Sequence, residues 1–155
     1  MEPRNQAGIA ERRMKSMRYI DFDPDRCVGC QNCQLVCSGT WQNVFNPLKA
    51  NLRVVQDDCY GPFRMHVCRQ EAEAECVKAC PCGALSIEPA KGYVRFDQKK
   101  CDGCRDCVAA CPYDAIFVHA DYPYIFKCDL CKGGKIQQCV AACPRNALRI
   151  KEVPA

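Results

Sequence analysis

Apolar and polar residues alternate in short runs along this chain, and each run predicts a strand. FRMHV (63–67) alternates strictly, and RYIDF (18–22), LRVV (52–55), YVRF (93–96) and YIFK (124–127) are short runs rich in aromatic and β-branched residues that read as strands. LRVV and FRMHV flank the turn-forming DDCYGP and read as a hairpin with Cys59 at its tip. SIEPAKGYVRF (86–96) and FVHADYPYIFK (117–127) read as two further hairpins. Between them lie short apolar turns, CVKA, CVAA and CVAA, each ending at Cys-Pro. Proline blocks helix continuation, so each turn predicts a helix that stops at the cysteine and hands over to a strand.

The unit repeats. CPCGALSI from Cys80, CPYDAIFV from Cys111 and CPRNALRI from Cys143 share Cys-Pro, two variable residues, Ala, and two aliphatics one residue apart. A fold made by copying one element is implied. The first unit, CVGCQNCQLVCSGTW (27–41), departs by carrying Ser38 where the others have proline. All the helices are expected to be one or two turns long, too short to persist without support from something they border.

Composition says what that support is. Of 155 residues, 17 are cysteine, and removing them from the 48% apolar total leaves roughly 37%. That is thin for two separate cores, so disulfides or metal must supplement them. The N-terminal MEPRNQAGIAERRMKSM lacks the apolar run of an export signal. Arg12–Arg13 is followed by MKSMRYIDFD, which does not suit a twin-arginine signal. No stretch has the length of a membrane span. The expected setting is the cytoplasm, where dense cysteine means metal.

Two segments have the spacing C-x2-C-x2-C-x3-C: Cys27, Cys30, Cys33, Cys37 and Cys101, Cys104, Cys107, Cys111. Cys128, Cys131, Cys139 and Cys143 form a stretched version, C-x2-C-x7-C-x3-C. Three close cysteines wrap three corners of an iron–sulfur cube while the fourth points to another cube. Zinc also uses C-x2-C pairs, but seldom three cysteines at such intervals before Cys-Pro. The formal charge of +4 counts thiols as neutral; four all-thiolate cubes would take it to about −4. The apparent basicity is therefore no argument for nucleic acid.

With these motifs, the chain from about residue 18 to 150 resembles the four-cluster ferredoxin-type electron-transfer subunits of molybdenum and tungsten enzymes, hydrogenases and carbon monoxide dehydrogenases. The resemblance implies an α+β fold of two ferredoxin-like di-cluster lobes, with short helices and small antiparallel hairpins around four 4Fe–4S clusters. Residues 17–58 and 121–155 would form the first lobe, 59–120 the inserted second lobe, and 1–16 a basic arm. It pairs the first motif with the fourth and the second with the third. One cluster would take Cys27, Cys30, Cys33 and Cys143. Its neighbour would take Cys128, Cys131, Cys139 and Cys37. A third would take Cys101, Cys104, Cys107 and Cys80.

The remaining site has Cys68, Cys76 and Cys111 and lacks a ligand. The family's second motif resembles C-x2-C-x4-C-x3-C-P, which puts the missing cysteine at Glu71, a carboxylate able to bind iron. Aligned on this chain's own fourth motif, the vacant place falls at Met65 instead. An open corner or a 3Fe–4S cluster is the other outcome, and Cys59 or Cys82 could complete the site, with His66 the weakest candidate. Against Cys82 stands the occupancy of the same repeat position by Tyr113 and Arg145.

No nucleophile–base set, phosphate loop or nucleotide fingerprint is present. The reading is a non-catalytic conduit that passes single electrons between a catalytic subunit and a second redox protein or flavoprotein subunit. CVGCQNCQLVCSGTWQNVFNPLKANLRVV (27–55) looks most like the small subunit of tungsten or molybdenum aldehyde oxidoreductases. A free polyferredoxin, or a subunit of a formate dehydrogenase, hydrogenase or carbon monoxide dehydrogenase, is the alternative. A redox sensor would need an effector domain. Self-association through one end of the wire is compatible with the reading, whereas nucleic-acid partners and membrane insertion are not expected. Trp41 is expected to pack beside a cluster rather than dock a partner, and His119 to be solvated.

Overall fold

The computed structural model describes residues 16–154, so the basic arm falls outside the described residues apart from Ser16. Strand β1 (Met17–Phe22) opens the chain and helix α1 (Asn32–Gln42) follows, with a 3-10 turn at Pro47–Lys49. Strands β2 (Arg53–Gln56) and β3 (Phe63–His66) form the hairpin expected around Cys59. Next come α2 (Glu75–Ala79), the hairpin β4 (Leu85–Glu88) and β5 (Tyr93–Phe96), and α3 (Asp106–Ala110). Strands β6 (Ile116–Phe117) and β7 (Phe126–Lys127) make a short third hairpin. The chain closes with the turn α4 (Leu130–Gly133), helix α5 (Gln138–Ala142) and β8 (Leu148–Val153).

The expected mixture of small helices and antiparallel hairpins is present, with one pairing the alternation did not show. Strands β1 and β8 join antiparallel, Met17 opposite Val153 and Phe22 opposite Leu148. Lys151 Nζ lies 2.9 Å from Asp21 Oδ2 across this ladder.

The rule of helices ending at Cys-Pro holds three times. Cys80, Cys111 and Cys143 are the C-caps of α2, α3 and α5, all extended, with ψ of 109°, 115° and 111°. A residue before proline is driven out of the helical region, which explains the common geometry. Helix α1 corrects the expectation of uniformly short helices. It runs 11 residues, through Cys37, because Ser38 replaces the proline. The Ser38 hydroxyl donates to the Leu35 carbonyl at 2.9 Å and accepts from the Asn46 amide at 3.1 Å, tying the helix to the returning loop.

Two cores result. Ile20, Leu52, Tyr93, Leu130 and Leu148 pack around Cys33, Cys128 and Cys139. Met17, Leu85, Val94, Ile116 and Ile125 pack around Cys76 and Cys107. Strands β1 and β5 serve both. Tyr93 enters one core and its neighbour Val94 the other, as side chains on alternate faces of a strand must.

Candidate metal centres

The two regular motifs build the same loop. In Cys27–Cys30 and Cys101–Cys104 the residue before the second cysteine is a glycine with φ of +66° and +75°. A Cβ there would meet the Phe63 ring at 2.5 Å or the Pro123 carbonyl oxygen at 2.4 Å, so glycine is required for space as well as conformation. The residue after the second cysteine, Gln31 or Arg105, is also left-handed and starts α1 or α3. The chain therefore curls around the cysteines before each helix begins.

Three cavities each carry the four cysteines of one of the sets implied by the resemblance. Cys27, Cys30, Cys33 and Cys143 line the first, together with Phe22, Val54 and Met65. Cys80, Cys101, Cys104 and Cys107 line the second, beside Phe96 and Ile125. Cys37, Cys128, Cys131 and Cys139 line the third, walled by Ile20, Leu52 and Trp41. Trp41 thus packs at a cavity, and the Lys132 ammonium lies 5.2 Å from its ring centre. Among the described residues, no three His, Cys, Asp or Glu side chains converge closely enough for a single metal ion. Four thiols spread around a cavity suit a larger group, as an iron–sulfur cube is.

Electrostatics follow the same grouping. Burial pushes the Cys33 thiol up to about 11, aided by the charge fields of Cys30, Cys27 and Cys143. Burial likewise raises Cys37 to about 12, with Cys131 and Asp129 adding to it. Cys139 is held higher still by burial and by Cys37, Cys131 and Cys33, and Cys128 is strongly raised by burial. Cys107 reaches about 12 through burial and the fields of Cys76, Cys80, Cys101 and Cys104. Such thiols give up protons only to a metal that takes their place. Cys80 differs: burial raises it, but hydrogen bonds from the amides of Leu85, Ala84 and Cys82 and from the Cys82 side chain outweigh burial and lower it.

The incomplete set is also brought together. Burial lifts Cys76 to about 11, and the fields of Cys68 and Cys111 add to the rise. The first half of its loop repeats the others, although α2 starts only at Glu75. Gln70 follows Cys68 at the position of Gly29 and Gly103 and has φ +53°. The Gln70 amide donates to Cys68 Sγ at 3.3 Å, as Gly29 does to Cys27 Sγ at 3.5 Å. Glu71 therefore stands where Cys30 and Cys104 stand, and all three are exposed. Its carboxylate accepts a hydrogen bond from the Tyr113 hydroxyl.

The remaining candidates lie elsewhere. Met65 is in β3, paired with Val54 and facing the first cavity. Cys59 is exposed in the β2–β3 turn, and His66 Nδ1 faces the Tyr113 carbonyl at 3.3 Å. Cys82 lines the cavity of Cys101, Cys104 and Cys107 rather than facing Cys68. His119 is half-buried, its Nδ1 accepting from the Asp121 amide at 3.2 Å.

Two buried polar residues escaped the motif reading. Lys127, 1% exposed, donates to the carbonyls of Val94 at 3.0 Å and Cys128 at 2.7 Å. Its charge favours the thiolates of both Cys76 and Cys128, so it stands between two sets. Gln70, fully buried, links the same groups. Comparison of Gln70 with Gly29 and Gly103 in the chain's own repeats was the available signal; for Lys127 there was none.

Residues 60–153 match the model of a 4Fe-4S dicluster domain. The polyferredoxin-like subunit of an aliphatic sulfonate oxidoreductase from Pyrococcus furiosus is 33% identical over 134 residues, covering 85% of this chain and 76% of that protein. The beta subunit of an NADH-dependent phenylglyoxylate dehydrogenase from Aromatoleum evansii is 32% identical over 116 residues; the match takes in 74% of this chain but only 26% of that protein. Among solved structures, a chain of the active site complex BamBC of benzoyl coenzyme A reductase with 1,5-dienoyl-CoA superposes with a TM-score of 0.55, at 27% identity, over 91% of this chain and 79% of that one.

Proposed function

As the chain belongs to the 4Fe-4S dicluster domain family, we propose that it is a non-catalytic electron-transfer subunit holding four iron–sulfur clusters for an oxidoreductase. The observation that carries this reading is that each of three cavities is lined by all four cysteines of one set, with a further set on a loop that begins in the same way. The ligands would be the sets given above, with Cys68, Cys76, Cys111 and Glu71 at the incomplete site. When bound, such clusters supply one-electron transfer.

The protein's own residues prepare that chemistry in three ways. Aliphatic and aromatic side chains, Ile20, Leu52, Phe96 and Ile125, wall the inner sides of two cavities. Backbone amides of Asn51 and Ala147 donate to Cys37 and Cys143 sulfurs at 3.3 Å, stabilising negative charge there. Lys127 adds a cation between two sets.

The partner we propose is the catalytic subunit of a tungsten or molybdenum aldehyde oxidoreductase-type enzyme, with a second redox protein at the other end. The name of the Pyrococcus relative, a polyferredoxin-like subunit of an oxidoreductase, supports a catalytic partner. We place the complex in the cytoplasm; among the described residues no helix is long and apolar enough to cross a membrane. Anaerobic purification from the native cell tests the proposal. Iron and sulfide near sixteen of each per chain are expected, with a co-purifying subunit containing tungsten or molybdenum. Stoichiometric zinc with little iron would overturn the cluster reading, and a partner without either metal would overturn the choice of enzyme.

A further inference from the structure

The Cys-Pro turn that closes each short helix sets the next residue beside a cysteine set in all three copies. After Cys111 that residue is Tyr113, whose hydroxyl donates to Glu71. After Cys143 it is Arg145, which lines the cavity of Cys27, Cys30, Cys33 and Cys143. After Cys80 it is Cys82, which lines the cavity of Cys80, Cys101, Cys104 and Cys107. Its sulfur lies 3.6 Å from Cys80 Sγ. One cavity thus carries five thiols where four suffice.

We propose that Cys82 is a reserve ligand at this site, able to take the fourth iron position in place of Cys80. The proposal rests on the cluster reading above. The exchange is a substitution without electron transfer. Cys82 gives up its proton and its sulfur bonds to iron as the Cys80–iron bond breaks, and Cys80 takes a proton.

Local structure permits the movement. Only Pro81 separates the two cysteines, and both are half-buried, so neither must leave a sealed core. Gly83 follows with φ +65°, and a Cβ built there would meet nothing within 4 Å. The turn beyond Cys82 therefore has free space and a flexible joint. Tyr113 and Arg145 in the sister units cannot offer a thiolate, which makes this site the one of the three with an alternative donor.

Iron content and electron paramagnetic resonance of anaerobically prepared holoprotein test the idea. Cys80→Ala is expected to keep the iron content of the native chain and to change the signal of one cluster. Cys80→Ala combined with Cys82→Ala is expected to lose at least one iron. An equal loss in the single and double variants overturns the proposal. If Cys80→Ala does not fold, Cys82→Ser decides, since it keeps every other ligand and nearly the same volume. Iron release under mild ferricyanide oxidation several-fold faster than native supports the reserve role, and an equal rate overturns it. A native chain that holds no iron would instead overturn the cluster reading itself.

Discussion

The side-chain amide of Gln70 donates to the carbonyl of Cys128 at 2.8 Å, joining residues 58 positions apart in a fully buried contact. The same side chain accepts from the Val94 amide at 2.8 Å, while its backbone amide points at Cys68 Sγ. One residue therefore connects two cysteine sets and both cores. Gln70→Ala would leave the Val94 amide without a partner, a loss of about 1–3 kcal/mol. Gln70→Gly loses the same bonds but relieves the left-handed backbone, recovering about 1 kcal/mol. The expected order of anaerobic melting temperature is native, then Gln70→Gly, then Gln70→Ala. Equal midpoints for all three would contradict a bridging role.

Lys127 makes its bonds with backbone carbonyls, so its positive charge is left to act on the sulfurs around it. A nearby cation favours the more negative, reduced state of a cluster. Lys127→Met keeps an apolar stem and removes the charge. A unit charge about 10 Å away at an effective dielectric of about 20 is worth roughly 1.7 kcal/mol, or about 70 mV for one electron. The variant should show at least one cluster with a reduction potential lowered by tens of millivolts in a titration followed by paramagnetic resonance. Unchanged potentials would show that the charge is screened or compensated.

The hairpins and the helix ends at Cys-Pro were legible because each depends on residues adjacent in sequence. Alternation and proline act locally, and the β2–β3, β4–β5 and β6–β7 ladders follow from them. The β1–β8 pairing was not legible, since its strands meet only after the intervening chain has folded. The burial of Lys127 was not legible for a related reason. A lysine that ends an apolar run is ordinarily solvated, yet residues 125–130 are all buried because both cores close over this segment. At the sites, the cysteine spacings showed the loops, and the resemblance supplied the way in which distant motifs combine. Which cavity Cys82 would face was beyond spacing alone, because the Cys-Pro turn sets it in three dimensions.

Removing the metal should expose how thin the two cores are. The thiols of Cys33 and Cys37 are raised by burial to about 11 and about 12. An unfolded thiol ionises near 8.5. Their protonated burial therefore contributes stability to a metal-free fold below about pH 8.5. That contribution is lost as pH rises towards 11 and 12, by about 1.4 kcal/mol per thiol per pH unit. The loaded protein lacks this alkaline loss because metal already holds the thiolates. Circular dichroism of chelated protein should show a broad, weak melt at pH 7 and no native signal at about pH 10. A chelated chain with a sharp melt at that alkaline pH would contradict the dependence on metal.

Glu71 occupies the corner of its loop that Cys30 and Cys104 occupy in theirs, and the Tyr113 hydroxyl holds its carboxylate. A hard carboxylate in place of a soft thiolate makes its iron the most labile of the site. Glu71→Cys should keep the iron content and change one paramagnetic resonance signal. Glu71→Ala should lose one iron under mild oxidation, converting a cube to a 3Fe–4S species. Tyr113→Phe frees the carboxylate from its hydrogen bond and should shift the potential of the same cluster without changing iron content. The three variants together separate ligation from mere proximity. If Glu71→Ala leaves iron, spectra and oxidation behaviour as in the native chain, the glutamate is a solvated partner of Tyr113. The site of Cys68, Cys76 and Cys111 then has an open corner or another ligand.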